Sequence, residues 1–420
     1  MRMNVPRAMK RALLVSALLL ASSSAGATAP FEQPPTLDAA RLLPPQTLKG
    51  PHHEAQPQVE SDGFLNIYAI NTPWGVLRAA STAQVIQYAA EVEAAAAMEQ
   101  VRGTDEFKGG VKDAAGDVVE GTKALVSNPV GSVKGAMSGV GAMFARSKEA
   151  IVSGGAKGAQ EDSVTANVIG YSKVKREYAF EYGVDVYSRN PYLQQQLDAV
   201  AKAGYAGNIA AKLALAIPSG GGGAYVSITS NTQSLNETFR DMPALELRKR
   251  NRARLDAMQV DPLIAEVYIA NDVLTPREQT EIVEALASMN GTEERGVFLR
   301  HAIFTDNADV AYFRTRQAGM YADFYRNVAP IKRFISVGEL AVGQKEDGTL
   351  VFCAPLDMLY WTEDMATFVS VLEGNLAALP DIKRKELWLA GGLSPMARQA
   401  LEARGWTINV NSAGHPVAKR

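Results

Sequence analysis

Apolar residues recur along this chain with two different periods, and the chain changes architecture where one gives way to the other. Phe64 to Ile70 and Val76 to Ala79 flank Asn71-Thr72-Pro73-Trp74-Gly75, the arrangement of a strand, a turn and a strand. Ser81 and Gln84 then make a capping box, and Val85, Ala89, Val92 and Ala96 fall on one face of a helix that runs through Met98. From 103 to 160 the helical spacing persists in Phe107, Val111, Val118, Val133, Met137, Val140 and Phe144, but glycines such as Gly131, Gly135 and Gly139 interrupt it. Each interior glycine costs a helix roughly 1 kcal/mol against alanine, so this segment needs a surface to lie on.

Between 161 and 329 the helical period dominates. Ser188-Arg189-Asn190-Pro191 starts a helix with Leu193, Leu197 and Val200 on one face. Thr275-Pro276-Arg277-Glu278 starts another, with Ile282, Leu286 and Met289 on its apolar side. Phe313, Met320, Tyr321 and Phe324 mark a third. From 330 to 412 the period shortens: Phe334 to Val342 and Thr349 to Ala354 lie either side of an Asp347-Gly348 turn. A helix from Thr362, a strand at Glu386 to Ala390, a helix opened by Ser394-Pro395 and a strand at Thr407 to Val410 follow. The expected fold is mainly α with a smaller α+β part, a helical bundle plus a small mixed or antiparallel sheet built from N- and C-terminal hairpins. Residues 413–420 read as a tail.

The N-terminus changes this picture most. Arg2, Arg7, Lys10 and Arg11 precede an apolar run from Ala12 to Ala21, and Ala25-Gly26-Ala27 supplies small residues for a peptidase. Residues 1–27 read as a signal peptide, which predicts an exported protein, periplasmic or secreted. Residues 28–62 are rich in proline and read as an extended tether in which His52, His53 and Glu54 are solvated. With 47% hydrophobic and 21% charged residues the remainder is globular in composition, and a net charge of −2 argues against nucleic acid as a partner. One cysteine, Cys353, forbids an internal disulfide and a cysteine-based zinc site. Neither a metal nor a cofactor is expected, nor a transmembrane span in the mature chain.

Candidate chemistry is sparse. No Gly-x-Ser-x-Gly turn is present, and Gly220 to Gly223 lacks the lysine and hydroxyl residue of a phosphate loop. His301, near Asp306 and Asp309, is an acid/base candidate without a nucleophile. Asp357 and Glu363, beside Tyr360 and Trp361, form a candidate carboxylate pair of the glycosidase type. Gly391-Gly392-Leu393-Ser394-Pro395 would place an anion at a helix N-terminus. The clearest binding feature is the run Arg248, Lys249, Arg250, Arg252 and Arg254, a cationic helix surface. Together with the apolar face of Val133, Met137, Val140 and Phe144 it predicts contact with an envelope protein or an anionic lipid surface. Binding, not catalysis, is the expected activity. The alternatives are a periplasmic hydrolase of cell-wall or lipid material using His301 or Asp357 and Glu363, and a carrier holding an apolar ligand among Leu197, Leu213, Ile282 and Phe313.

Overall fold

The computed structural model describes residues 31–102, 104, 140–141, 143, 166–207, 232–379 and 381–411. They form a mixed α+β protein. The signal-peptide residues, most of 103–160, the glycine run at 220–223 and the tail lie outside the described residues.

The first layer is antiparallel. It consists of β1 (Leu37–Asp38), α1 (Ala39–Leu42), α2 (Pro45–Leu48), β2 (Glu54–Ala55), β3 (Gln58–Ser61), β4 (Asn66–Thr72) and β5 (Gly75–Ala80). β4 is its hub, pairing with β2 and β3 along one edge and with β5 along the other. Residues 31–62 are therefore not a tether: Val59, Ala39 and Ala55 are buried against Tyr68, Ile70 and Val85. The prolines here shape short turns between strands that borrow their hydrogen bonds from β4. His52 and His53 are likewise not solvated, because both imidazole Nδ1 atoms lie 2.7 Å from the carboxylate of Glu93.

Glu93 sits on α3 (Thr82–Arg102), which covers the sheet. The central helices follow: α4 (Ala166–Glu181), α5 (Pro191–Gly207), α6 (Thr232–Asp241), α7 (Ala244–Ala257), α8 (Pro262–Ala270), α9 (Pro276–Ser288), α10 (Gly296–Ala302) and α11 (Ala308–Asn327). Thr275 and Glu278 close a reciprocal capping box at the start of α9.

The second sheet holds β6 (Arg333–Val337), β7 (Leu340–Gln344), β8 (Thr349–Ala354), β10 (Arg384–Leu389) and β12 (Trp406–Asn409). Its order is β12-β10-β8-β7-β6, parallel from β12 to β8 and antiparallel beyond. Phe334 to Val342 is not one strand, because Gly338 takes φ +55° and turns the chain between β6 and β7. β9 (Met358–Leu359) and α12 (Glu363–Ala377) connect β8 to β10; β11 (Gly392–Leu393) and α13 (Pro395–Glu402) connect β10 to β12. Parallel strands require such crossovers.

Alternation along β8 shows why the sheet is covered on both faces. Leu350, Phe352 and Ala354 join the apolar cluster of α12 and α13, while Val351 and Cys353 join that of α10 and α11. The middle helices thus pack directly on the C-terminal sheet. The expected division into a separate bundle and a small α+β unit does not describe this packing, and the N- and C-terminal strands do not share a sheet: each end forms a five-stranded sheet, with β9 and β11 pairing as a further short one.

What joins the layers is a strap at 357–360. The backbone N–H of Asp357 donates to Phe64 O at 3.1 Å and that of Tyr360 to Gly63 O at 3.0 Å. The Asp357 carboxylate accepts from Asn66 N at 3.0 Å and from Thr82 N at 2.9 Å, so it caps α3 across the chain. Gly391 lets the strap pass: a Cβ there would lie 1.9 Å from Asp357 O. Replacing Asp357 with alanine strands two inward-facing N–H groups, a loss of about 2 to 5 kcal/mol. Urea unfolding of Asp357→Ala should show a lowered midpoint and Asp357→Asn a smaller loss; a wild-type midpoint for Asp357→Ala would refute the strap.

Candidate functional site

The cationic run lies on α7, and the way α7 packs sorts its charges. Leu247, Asn251 and Leu255, four residues apart, are buried, and α7 contacts α9. Asn251 Nδ2 donates to Thr280 Oγ1 on α9 at 3.0 Å. That face fixes the rest. Lys249 and Arg252 point outward and pair within the helix, with Glu246 at 2.8 Å and Asp256 at 2.9 Å. Arg250 and Arg254, one turn apart, lean over α9 and meet the same oxygen of Glu284, at 3.0 and 3.4 Å. Arg248 is half-buried on the same helix.

Beside Glu284 opens a cleft of about 400 Å³, lined by Ser234, Arg250, Arg254, Ser288, Asn290 and Arg326 among others. Arg326 comes from the last turn of α11 and pairs with Asp323 at 3.0 Å. Three guanidinium groups against two carboxylates leave one positive charge in excess. The Nη1 of Arg250 is buried and has no hydrogen-bond partner. That donor is closed to solvent, so an anion in the cleft would meet the exposed parts of Arg250, Arg254 and Arg326 instead.

A second polar assembly lies where α3, the 185–190 segment, α9 and α11 meet. Arg277 pairs with Asp185 at 3.0 Å and Glu281 at 2.9 Å and stacks over Phe239 at 4.1 Å. Arg189 pairs with Glu278 and donates to Val273 O at 2.7 Å. Glu91 accepts from Gln87 Nε2 at 2.8 Å and from Ser188 Oγ at 2.7 Å. Burial pushes its carboxyl up to about 7, against the pull of the Gln87 and Ser188 hydrogen bonds and with the push of Asp185. Burial also raises Glu281, against the opposing charge of Arg277. A cavity of about 60 Å³ opens among Gln87, Tyr88, Ser188, Arg189, Arg277 and Tyr312.

No protein-family model, curated protein or solved structure matches this chain. Its functional reading therefore rests on its own geometry.

The candidate catalytic groups do not come together. His301 Nε2 lies 2.8 Å from Ser336 Oγ, and burial, with Arg314 and Arg300 nearby, lowers its pKa to about 4, leaving it neutral. Asp309 turns away to Arg78 at 3.3 Å and Asp306 accepts from Asn307 at 2.7 Å. Asp357 is committed to the strap, Glu363 is exposed in the first turn of α12, and Tyr360 and Trp361 are buried, so no sugar-stacking platform forms. The anion position before α13 is filled from within: Glu32 accepts from Ser394 Oγ at 2.5 Å and Trp361 N at 2.6 Å. Leu197, Ile282 and Phe313 belong to three different apolar clusters among the described residues; Leu213 lies outside them. Val133, Met137 and Phe144 also lie outside them, while Val140 is fully buried beside Phe313, which removes it from any lipid-facing surface. Among the described residues no group of three or more His, Cys, Asp or Glu side chains is placed to hold a metal ion, and no helix is long and apolar enough to cross a membrane.

Residue reading missed Glu91, Glu284 and Arg326. Ser188 and Arg277 were visible only as helix-start residues, and nothing local marks a partner 97 residues away. Glu91 has a direct consequence for stability. The folded state holds its proton more tightly than the unfolded chain, so the contribution of Glu91 to stability is fully present below about pH 4.5 and is lost as pH rises through about 7. The difference is about 3 kcal/mol. Urea midpoints at pH 5 and 8 should differ less in Glu91→Gln than in wild type; equal pH dependence would show that Glu91 ionises normally.

Proposed function

We propose that this chain is an exported protein of a bacterial envelope that acts by binding, and that it receives an anionic phosphate or carboxylate group of an envelope molecule in the α7–α9 cleft. Export rests on the basic, apolar and small-residue segments before Thr28. One observation carries the binding reading: Arg250, Arg254 and Arg326 line one cleft of about 400 Å³ in which Glu284 is the one carboxylate among the described lining residues. In this reading α6, α7, α9 and α11 act as the helical bundle that forms the receptor. The outward Lys249 and Arg252 add long-range attraction for a polyanion.

Two sources present the same group, an anionic lipid surface and a soluble acidic polymer. Flotation with phosphatidylglycerol vesicles and titration with polyphosphate, each at low and high salt, separate them. Binding to at least one is expected at low salt, weakening as screening shortens electrostatic reach. Arg250→Gln with Arg254→Gln should weaken it at least about tenfold, or about 1.4 kcal/mol. Absence of binding to both, or binding indifferent to the double substitution, would overturn the proposal.

A further inference from the structure

The cavity between α3, α9 and α11 holds a feature that anion binding in the α7–α9 cleft does not use. Of the acidic residues gathered there, Asp185, Glu278 and Glu281 each face an arginine. Glu91 faces none among the described residues; its partners are the neutral Gln87 and Ser188. Buried carboxyls are ordinarily matched by a cation, so a lone one beside a hydroxyl is a poor stability device.

Its geometry fits another purpose. Gln87 fixes one carboxyl oxygen, and the other receives the Ser188 hydroxyl proton at 2.7 Å. Ser188 Oγ also accepts from Asn190 N at 3.1 Å, which holds it in place next to the start of α5. Ser188 lines the cavity together with Arg189 and Arg277, whose charges are matched there by Glu278, Asp185 and Glu281. This is the set expected of a hydroxyl nucleophile: an adjacent base and a group orienting the base, beside an open space.

We propose that Ser188 is an acyl-transfer nucleophile with Glu91 as its general base, acting on an ester with a small acyl group. Ser188 Oγ bonds to the acyl carbon as its proton passes to Glu91; the carbon–oxygen bond to the alcohol breaks, and the alcohol leaves with that proton. Water then attacks the acyl-serine in the same way, releasing the carboxylic acid and restoring Ser188, so that ester and water give acid and alcohol. The cavity of about 60 Å³ is small, which favours a small acyl group such as acetyl. Glu91, whose carboxyl titrates at about 7, is available as a base near neutrality.

The test uses the full mature chain with two probes, p-nitrophenyl acetate and a small alkyl fluorophosphonate. A nitrophenolate burst and a phosphonyl adduct mapped by mass spectrometry to Ser188 are expected, with a rate that rises through neutral pH. Ser188→Ala should lose both. Glu91→Gln should still label at Ser188, about a hundredfold more slowly and without the neutral pH step. Circular dichroism and polyanion binding check that each variant is folded and keep this result separate from the α7–α9 cleft. No adduct at Ser188 in folded wild-type protein, or a labelling rate untouched by Glu91→Gln, would overturn the proposal.

Discussion

Arg277 cannot be buried between α9 and the 185–190 segment unless its charge is matched on both sides, and Asp185 and Glu281 supply that match. Removing either acid would leave the buried guanidinium short of one of its two ionic partners, a loss of several kcal/mol. The position of α9 depends on this closure, and much else depends on α9. Its outer flank presents Glu284 to Arg250 and Arg254, its first turn supplies Glu278 to Arg189, and α11 packs along it before reaching β8. Both polar sites therefore share one helix as a wall.

The same logic, charge placed where backbone donors would otherwise be orphaned, links the two sheets. Asp357 leaves the C-terminal sheet to cap α3, and Glu32 leaves the N-terminal segment to meet Ser394 at the start of α13. Each is a carboxylate from one layer at the N-terminus of a helix in the other, where the helix dipole favours it. Glu93, gripping His52 and His53 from α3, completes the fastening of residues 31–62.

Local chemistry was readable in advance and partnership was not. The capping box of Thr275 and Glu278, the Ser394-Pro395 start and the Asp347-Gly348 turn act within four residues, and each stands where its residues indicate. The arginines of α7 were visible as a basic surface, but which of them face the cleft depends on the buried face of Leu247, Asn251 and Leu255 and on Asn251 meeting Thr280 of α9. His52 and His53 looked unplaced because their geometry comes from Glu93, 40 residues on. The strands of residues 31–62 carry little pattern of their own, being two to four residues long, with β2 and β3 held by β4 and β1 held by β3. Glu91 and Ser188 carried no mark because each is ordinary alone; burial and the 2.7 Å contact make them a pair.

The central claim is that buried charge and the 357–360 strap make both sheets and the helices between them one cooperative body. Urea unfolding read from two single-tryptophan variants, one retaining Trp74 beside the N-terminal layer and one retaining Trp388 on β10, tests it directly. A single shared midpoint is predicted for both reporters. Two separated transitions, with the Trp74 signal lost while Trp388 remains native, would contradict it.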